Sequence, residues 1–180
     1  MTSSASTGST ATDAGSSSRG SRGAGSTGGS SGLRQSLCAF WLGSRCFGLD
    51  VALVGEVVVI DAVTPVPKAH EALVGLFNLR GTPVPLVDAA AVLSLEARSD
   101  DKRACAIVVR KDDLVVALAI EKMEAVIESG RGAFTAQSGG DEHPVVQGFL
   151  ESGERVVTVI APDALLQRLD RLRFGARSER

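Results

Sequence analysis

The stretch Gly75-Leu-Phe-Asn-Leu-Arg80-Gly81-Thr-Pro-Val-Pro-Leu-Val-Asp88 decides how the rest of the chain is read. Two apolar runs flank a turn in which Gly81 supplies the positive φ that a tight reversal needs. Pro83 and Pro85 cannot donate ladder hydrogen bonds, so the second run is expected at a sheet edge or beside a bulge. Asp88 stands immediately before Ala89-Ala-Ala-Val-Leu-Ser-Leu95, where its carboxylate is placed to cap a short helix rather than to do chemistry.

Working outward, the same texture repeats. Residues 37–42 and 46–51 are β-prone runs joined by Gly43-Ser44-Arg45, a hairpin signal. Alternation puts Cys38, Phe40 and Leu42 on one face, with Phe47, Leu49 and Val51 on one face of the partner. Trp41 then points the other way, toward either a second layer or an exposed contact. Over residues 52–63 a short helix capped by Asp50, carrying Leu53, Val54 and Val57, is expected to hand over to a strand near Val57. Pro65 and Pro67 end regular structure, and residues 69–74 fit one helical turn.

Downstream, the charged segment 96–103 reads as a loop between two lobes. Residues 104–110 and 114–120 form a hairpin around Lys111-Asp112-Asp113, and Val126 and Ile127 mark a further strand. Residues 129–143 read as a mobile loop. Residues 145–150 and 155–160 make a third hairpin with Gly153 at its reversal. Pro162 fits the first turn of a last helix over 163–172, whose Leu165, Leu166, Leu169 and Leu172 form one apolar stripe. Short strands at regular intervals with few helices imply a mainly β fold, as small barrels or a sandwich, and the two hairpin-rich halves suggest a pair of barrels.

Composition removes other classes. Residues 1–36 hold 12 Ser, 5 Thr and 8 Gly, too little apolar surface to offset about 1–2 kcal/mol of chain entropy per ordered residue. A disordered tail over 1–36, a domain over 37–174 and a C-terminal extension over 175–180 are therefore expected. No apolar run is long enough to cross a membrane, and the opening residues carry neither the apolar core of a secretory signal nor a myristoylation start. Three cysteines without ligand spacing fit packing in a reducing compartment better than disulfides or zinc. With Arg19, Arg22 and Arg34 against Asp13 the tail is +2, which leaves −4 of the chain's −2 on the rest. An acidic domain with 6 Phe, 1 Trp and no Tyr lacks what phosphate neutralisation and base stacking require, so no nucleic-acid partner is expected.

The residues do not assemble an active site. His70 and His143 stand alone in loop-like segments, no nucleophile elbow, phosphate loop or zinc motif is present, and Glu121, Glu124 and Glu128 read as a solvated stripe. Neither cofactor nor metal is called for. What stands out is a turn that displays Arg80, a residue type favoured at interface centres. That profile suits a contact protein, with a small β-barrel enzyme as a remote alternative.

Asn78-Leu79-Arg80-Gly81 followed by Val84-Pro85-Leu86-Val87-Asp88 resembles the core motif of CheW-like chemotaxis coupling proteins. The likeness extends to Phe40-Trp41-Leu42-Gly43, Phe47-Gly48-Leu49-Asp50-Val51, Val54-Gly55-Glu56-Val57 and the closing segment from Gly148-Phe149 to Leu165-Leu166, so it covers about residues 37–172. It implies two five-stranded SH3-like β-barrel lobes and no catalysis. The implied role is an adaptor, cytoplasmic at receptor arrays on the inner face of the membrane. Its implied partners are the cytoplasmic tip of a methyl-accepting chemoreceptor and the regulatory domain of a histidine kinase, without membrane insertion. Carried over by position, the partner-contact residues are Val54, Glu56, Val57, Gly75, Asn78 and Arg80, with Val126 in the second lobe. A variant that binds receptors but not the kinase is the alternative within the family.

Overall fold

In the computed structural model, residues 35–95, 105–131, 133–137 and 145–174 are described. Among the described residues, alternating and continuous apolar runs make twelve strands: β1 Ser36–Leu42, β2 Arg45–Asp50, β3 Val54–Val59, β4 Val63–Thr64, β5 Leu73–Leu79, β6 Thr82–Asp88, β7 Cys105–Lys111, β8 Leu114–Ile120, β9 Lys122–Glu128, β10 Phe134–Ala136, β11 Val146–Ser152 and β12 Arg155–Ile160. Helix α1 is Ala89–Val92 and α2 is Pro162–Phe174. Among the described residues no helix is long and apolar enough to cross a membrane.

The strands form two six-stranded sheets. The central sheet, from the middle of the chain, runs β3-β7-β8-β6-β5-β4. The terminal sheet, from both ends, runs β10-β11-β12-β2-β1-β9. Written from the short strand inward, the two orders superimpose: β4, β5, β6, β8, β7, β3 correspond to β10, β11, β12, β2, β1, β9. Orientations agree as well. Each sheet has one parallel contact, β6 on β8 and β12 on β2, and the other pairings are antiparallel. Each parallel strand runs into a helix, α1 after β6 and α2 after β12. The fold is thus a repeat in which the second copy is circularly permuted, its hairpin β1–β2 coming first in the chain.

The inner strands of the sheets are covered on both faces. Between the sheets lies a shared core in which Phe40, Phe47 and Leu49 of the terminal sheet meet Ile107, Val116, Leu118 and Ile120 of the central one, with Leu165 and Leu169 of α2. The Phe40 and Phe47 rings stack with centroids 5.9 Å apart. Each sheet also curls over a smaller core of its own. Phe77, Val84, Leu86 and Val108 fill the central one, and Leu37, Ala39, Leu150 and Val157 the terminal one. Burial on both faces explains why β7 and β8 read as continuous apolar runs rather than alternating ones. On α2, Arg168 donates from Nη1 to the Val92 carbonyl at 2.5 Å and to Ser94 Oγ at 2.7 Å, tying the last helix to the exposed end of α1.

The hairpins fall where expected, and the differences have local causes. Asp50 does cap a helix, accepting from Ala52 N at 2.9 Å, but only the 3-10 turn Val51–Leu53 follows, and the strand starts at Val54. The expected helical turn at 69–74 is instead a turn over Glu71 and Ala72, with Leu73 and Val74 already in β5. The expected mobile loop at 129–143 contains a 3-10 turn, Ser129–Arg131, and strand β10; residues 132 and 138–143 lie outside the described residues. Ser36 opens β1, and Gln35 is held by Asp50 through its side-chain amide at 2.5 Å. The tail over 1–34, the extension over 175–180 and His143 lie outside the described residues. The segment 96–103 lies outside the described residues; β6 before it and β7 and β8 after it belong to one sheet. Each lobe has six strands where five were expected, β4 and β10 being the short additions.

Candidate functional site

The turn at Arg80 is built to display that side chain. Leu79 pairs with Thr82, so Arg80 and Gly81 form a two-residue loop, and both have positive φ, 52° and 90°. That is the type I′ geometry, which matches strand twist. A non-glycine residue held there costs about 1–2 kcal/mol. Asn78 Oδ1 accepts from Gly81 N at 2.8 Å and pins the loop. Pro83 and Pro85 sit at positions whose backbone faces away from β5, and β8 joins β6 only from Leu86 onward. No donor is missed there. The strands diverge at this point and leave a groove of about 420 Å³ lined by Leu79, Arg80, Pro83, Pro85, Arg110 and Val115, with Glu56 and Asp113 at its rim.

Glu56 reaches this groove from edge strand β3. Its Oε2 lies 2.8 Å from Arg80 Nη2 and its Oε1 lies 3.7 Å from Arg110 Nη2. A register shift between Val54 and Glu56 leaves Gly55 as the bulged residue. A Cβ on Gly55 would sit 2.6 Å from Arg110 Cδ, so the missing side chain makes room for Arg110 to cross the strand.

The bulge also sets which way the valines face. Val54, Val57 and Val59 pair with Val109, Ile107 and Cys105, which lie in or against the shared core, whereas Glu56 and Val58 pair with Val108 and Ala106 of the central sheet's own core. Val54 is half-buried on the shared core, while Val57 is 40% and Val59 69% exposed where that core runs out. At the equivalent place on β9, Val126 pairs with core residue Cys38 and is 61% exposed.

The carried-over residues therefore do different jobs. Glu56, Asn78 and Arg80 come together at one turn. Val57 and Val126 are exposed at matching positions of two edge strands. Gly75 is a packing residue, because a Cβ there would lie 2.5 Å from the Thr64 carbonyl oxygen of β4. Gly148 makes the same close approach to Thr135 in the terminal sheet.

Two features escaped sequence reasoning. Arg110 read as the end of a strand; the signal that pointed to it was a glycine inside the apolar strand Val54–Val59. Glu124 is not merely part of a solvated stripe. Its Oε2 accepts from Trp41 Nε1 at 2.8 Å and its Oε1 from Arg155, and these contacts, the indole bond first, hold its carboxyl below the ordinary glutamate value. Trp41 is half-buried against the terminal sheet's own core. His70 serves its own turn, with Nδ1 accepting from Ala72 N at 3.1 Å. Asp88 accepts from Ala90 N at 2.9 Å as a helix cap. Burial pushes all three thiols up, Cys38 to about 11 with a further push from Cys105, so they are protonated packing groups at neutral pH.

The comparisons agree with this architecture. The CheW-like domain family model matches residues 36–170. The chain is similar to the chemotaxis protein CheW of Helicobacter pylori, 23% identical over 131 residues that cover 72% of this chain and 79% of that one. It is likewise similar to the CheW of Thermotoga maritima, 22% identical over 132 residues, 73% of this chain and 87% of that one. The crystal structure of the scaffolding protein TtCheW from Thermoanaerobacter tengcongensis shares the fold, with a TM-score of 0.62 and 22% identity over 72% of this chain and 90% of that chain. With three quarters of its length matched by the family model, the chain belongs to the CheW-like domain family.

Proposed function

We propose that this chain is a non-catalytic adaptor that couples the cytoplasmic tips of transmembrane chemoreceptors to the regulatory domain of a histidine kinase, at receptor arrays on the inner face of the membrane. The observation that carries the reading is the placement of two unlike surfaces on one small scaffold. Exposed Val57, Val59 and Val126 stand on the edge strands of both sheets, and the Glu56–Arg80 turn with its groove stands at the far edge of the central sheet's hairpin. Apolar edge residues suit the apolar face of a receptor helix. The charged turn suits the polar margin of a folded domain, where electrostatic complementarity gives register and specificity.

The test is a binding assay with a receptor hairpin and a kinase regulatory domain as separate baits. Wild type is expected to bind both. Val57→Asp is expected to lose the receptor, and Arg80→Ala to lose the kinase domain. Binding to neither bait sinks the adaptor reading, and binding to the receptor alone supports the family variant that does not engage the kinase.

A further inference from the structure

We propose that Cys38, Cys105 and Met123 form a binding site for one cuprous ion at the open end of the core between the two sheets. The proposal does not depend on the adaptor reading. The three side chains come from three strands, which is why no ligand spacing marks them in the sequence. Cys38 of β1 pairs with Val126 of β9, and Phe40 with Met123, the register shift between Ala39 and Phe40 leaving Glu124 as the extra residue. That bulge turns Met123 to the shared-core face, where its Sδ lies 3.4 Å from Cys38 Sγ. Cys105 of β7 arrives from the other sheet. It pairs with Ile120, from which the chain passes through Glu121 alone into β9, so the crossover between the sheets holds Cys105 beside Met123. The Met123 backbone N–H donates to Cys105 Sγ, and Cys105 is near enough to Cys38 for their charges to interact.

One sulfur–sulfur contact is ordinary packing. Two thiols and a thioether converging from both sheets are a set of soft donors, and soft donors select cuprous copper over the hard cations that take oxygen ligands. Among the described residues no third His, Cys, Asp or Glu stands with the two cysteines, so zinc lacks the four ligands of its structural sites. Access suits a site rather than a sealed core. Cys38 is buried, whereas Cys105 and Met123 are half-buried. The residues paired with the two cysteines, Val126 and Val59, are exposed where the core runs out. An ion therefore has a way in from the surface, and the fully buried Phe40, Ile107 and Ile120 form an apolar wall behind it that excludes competing oxygen ligands.

Without the ion, burial holds both thiols protonated. Loading is a ligand exchange with no electron transferred: two S–H bonds break, two Cu–S bonds form, and both protons pass to the buffer. The cation offsets one of the two thiolate charges, and the Met123 N–H favours the thiolate of Cys105. The neutral thioether adds the third bond without adding charge. Cys46 supplies the contrast. It lies in the terminal sheet's own core, whose other members carry no sulfur, so it has the thiol without the set.

The test is an anaerobic titration of the full-length chain, in ascorbate, with cuprous ion held by the coloured chelator bicinchoninate. Wild type is expected to withdraw one equivalent. Cys38→Ala and Cys105→Ala are each expected to lose that uptake. Met123→Leu, which keeps the volume, is expected to weaken it by about 10–100-fold, the scale on which a supporting group acts at a metal site. Cys46→Ala is expected to retain it. X-ray absorption at the copper edge of the loaded wild type is expected to show sulfur ligands only. Cys105 and Met123 are half-buried, so their variants decide the matter even where Cys38→Ala does not fold. Wild type that leaves the chelator loaded overturns the site. So does Cys46→Ala that loses as much as Cys105→Ala, because capture then follows any thiol, and so do nitrogen or oxygen ligands in the spectrum. Met123→Leu that binds like wild type overturns the part assigned to the thioether.

Discussion

The central and terminal sheets carry the same clasp made from different parts. In both, an acid at or beside the bulge of an edge strand reaches across to an arginine of a hairpin on the opposite side of the sheet. In the central sheet Glu56 meets Arg80 and Arg110. In the terminal sheet Glu124 meets Arg155 and Trp41. The lining of the space below each clasp differs accordingly. Prolines and arginines line one groove, whereas Cys46, Gly153 and Val157 line the other, and each encloses about 420 Å³. The difference teaches that one architecture supports two uses. Where the second partner is an indole, the clasp closes the curl of the sheet over its small core. Where it is a second arginine, the clasp stays on an exposed turn beside an open groove.

The comparison requires that the two sheets stand or fall together, since their largest core is common property. Phe40 is fully buried there and stacks on Phe47. Phe40→Ala is expected to cost about 3–5 kcal/mol. The loss is expected to open both sheets alike, so hydrogen exchange should accelerate equally in the β5–β6 and β11–β12 hairpins. Acceleration confined to β11–β12 would mean that the lobes unfold separately, and the shared core would lose its meaning.

A smaller effect tests the repeat itself. Gly75 and Gly148 occupy matching bulges, each pressed against the short outer strand of its sheet. An alanine at either place has to push backbone aside, an overpacking cost of about 1–3 kcal/mol. Gly75→Ala and Gly148→Ala are expected to fall within that range in urea unfolding, with Gly75→Ala the worse because its φ is also positive. A neutral Gly148→Ala would break the correspondence between β4 and β10.

Much of this was legible in the residues. The hairpins announced themselves by Gly81 and Gly153 between apolar runs, the caps by Asp50 and Asp88, and the family by the segment around Arg80. Sheet membership was not, because pairing between β1 and β9 or between β2 and β12 joins segments more than eighty residues apart, and nothing local encodes it. The permutation hid the repeat for the same reason: β1 and β2 complete a copy whose other strands lie at the far end of the chain. Strand β10 was missed because Phe134 is its only large apolar residue, and its pairing with β11 depends on Gly148 letting the backbones approach. Glu124 looked like one acid of a solvated stripe because its partners, Trp41 and Arg155, are supplied by other strands.

The smallest expected effect separates the two clasps most directly. Trp41 is the only tryptophan of the chain, so its fluorescence reports on the terminal sheet alone. The indole bond and Arg155 favour the ionised form of Glu124 and lower its pKa in the folded state. A lowered carboxylate contributes stability that is fully present above the unfolded value and is lost as pH falls through the folded one. Acid titration of Trp41 emission is therefore expected to show a midpoint below the ordinary glutamate value of 4.5, with the fold otherwise intact. Glu124→Gln keeps an acceptor for the indole but has no proton to gain, so the titration is expected to vanish while stability at neutral pH changes little, because the Arg155 partner is exposed. Glu56→Gln, in the other sheet, is expected to leave the Trp41 titration where it was. A midpoint at or above the ordinary value would mean that the indole and Arg155 do not hold Glu124 in solution, and the terminal clasp would then be as loose as the central one.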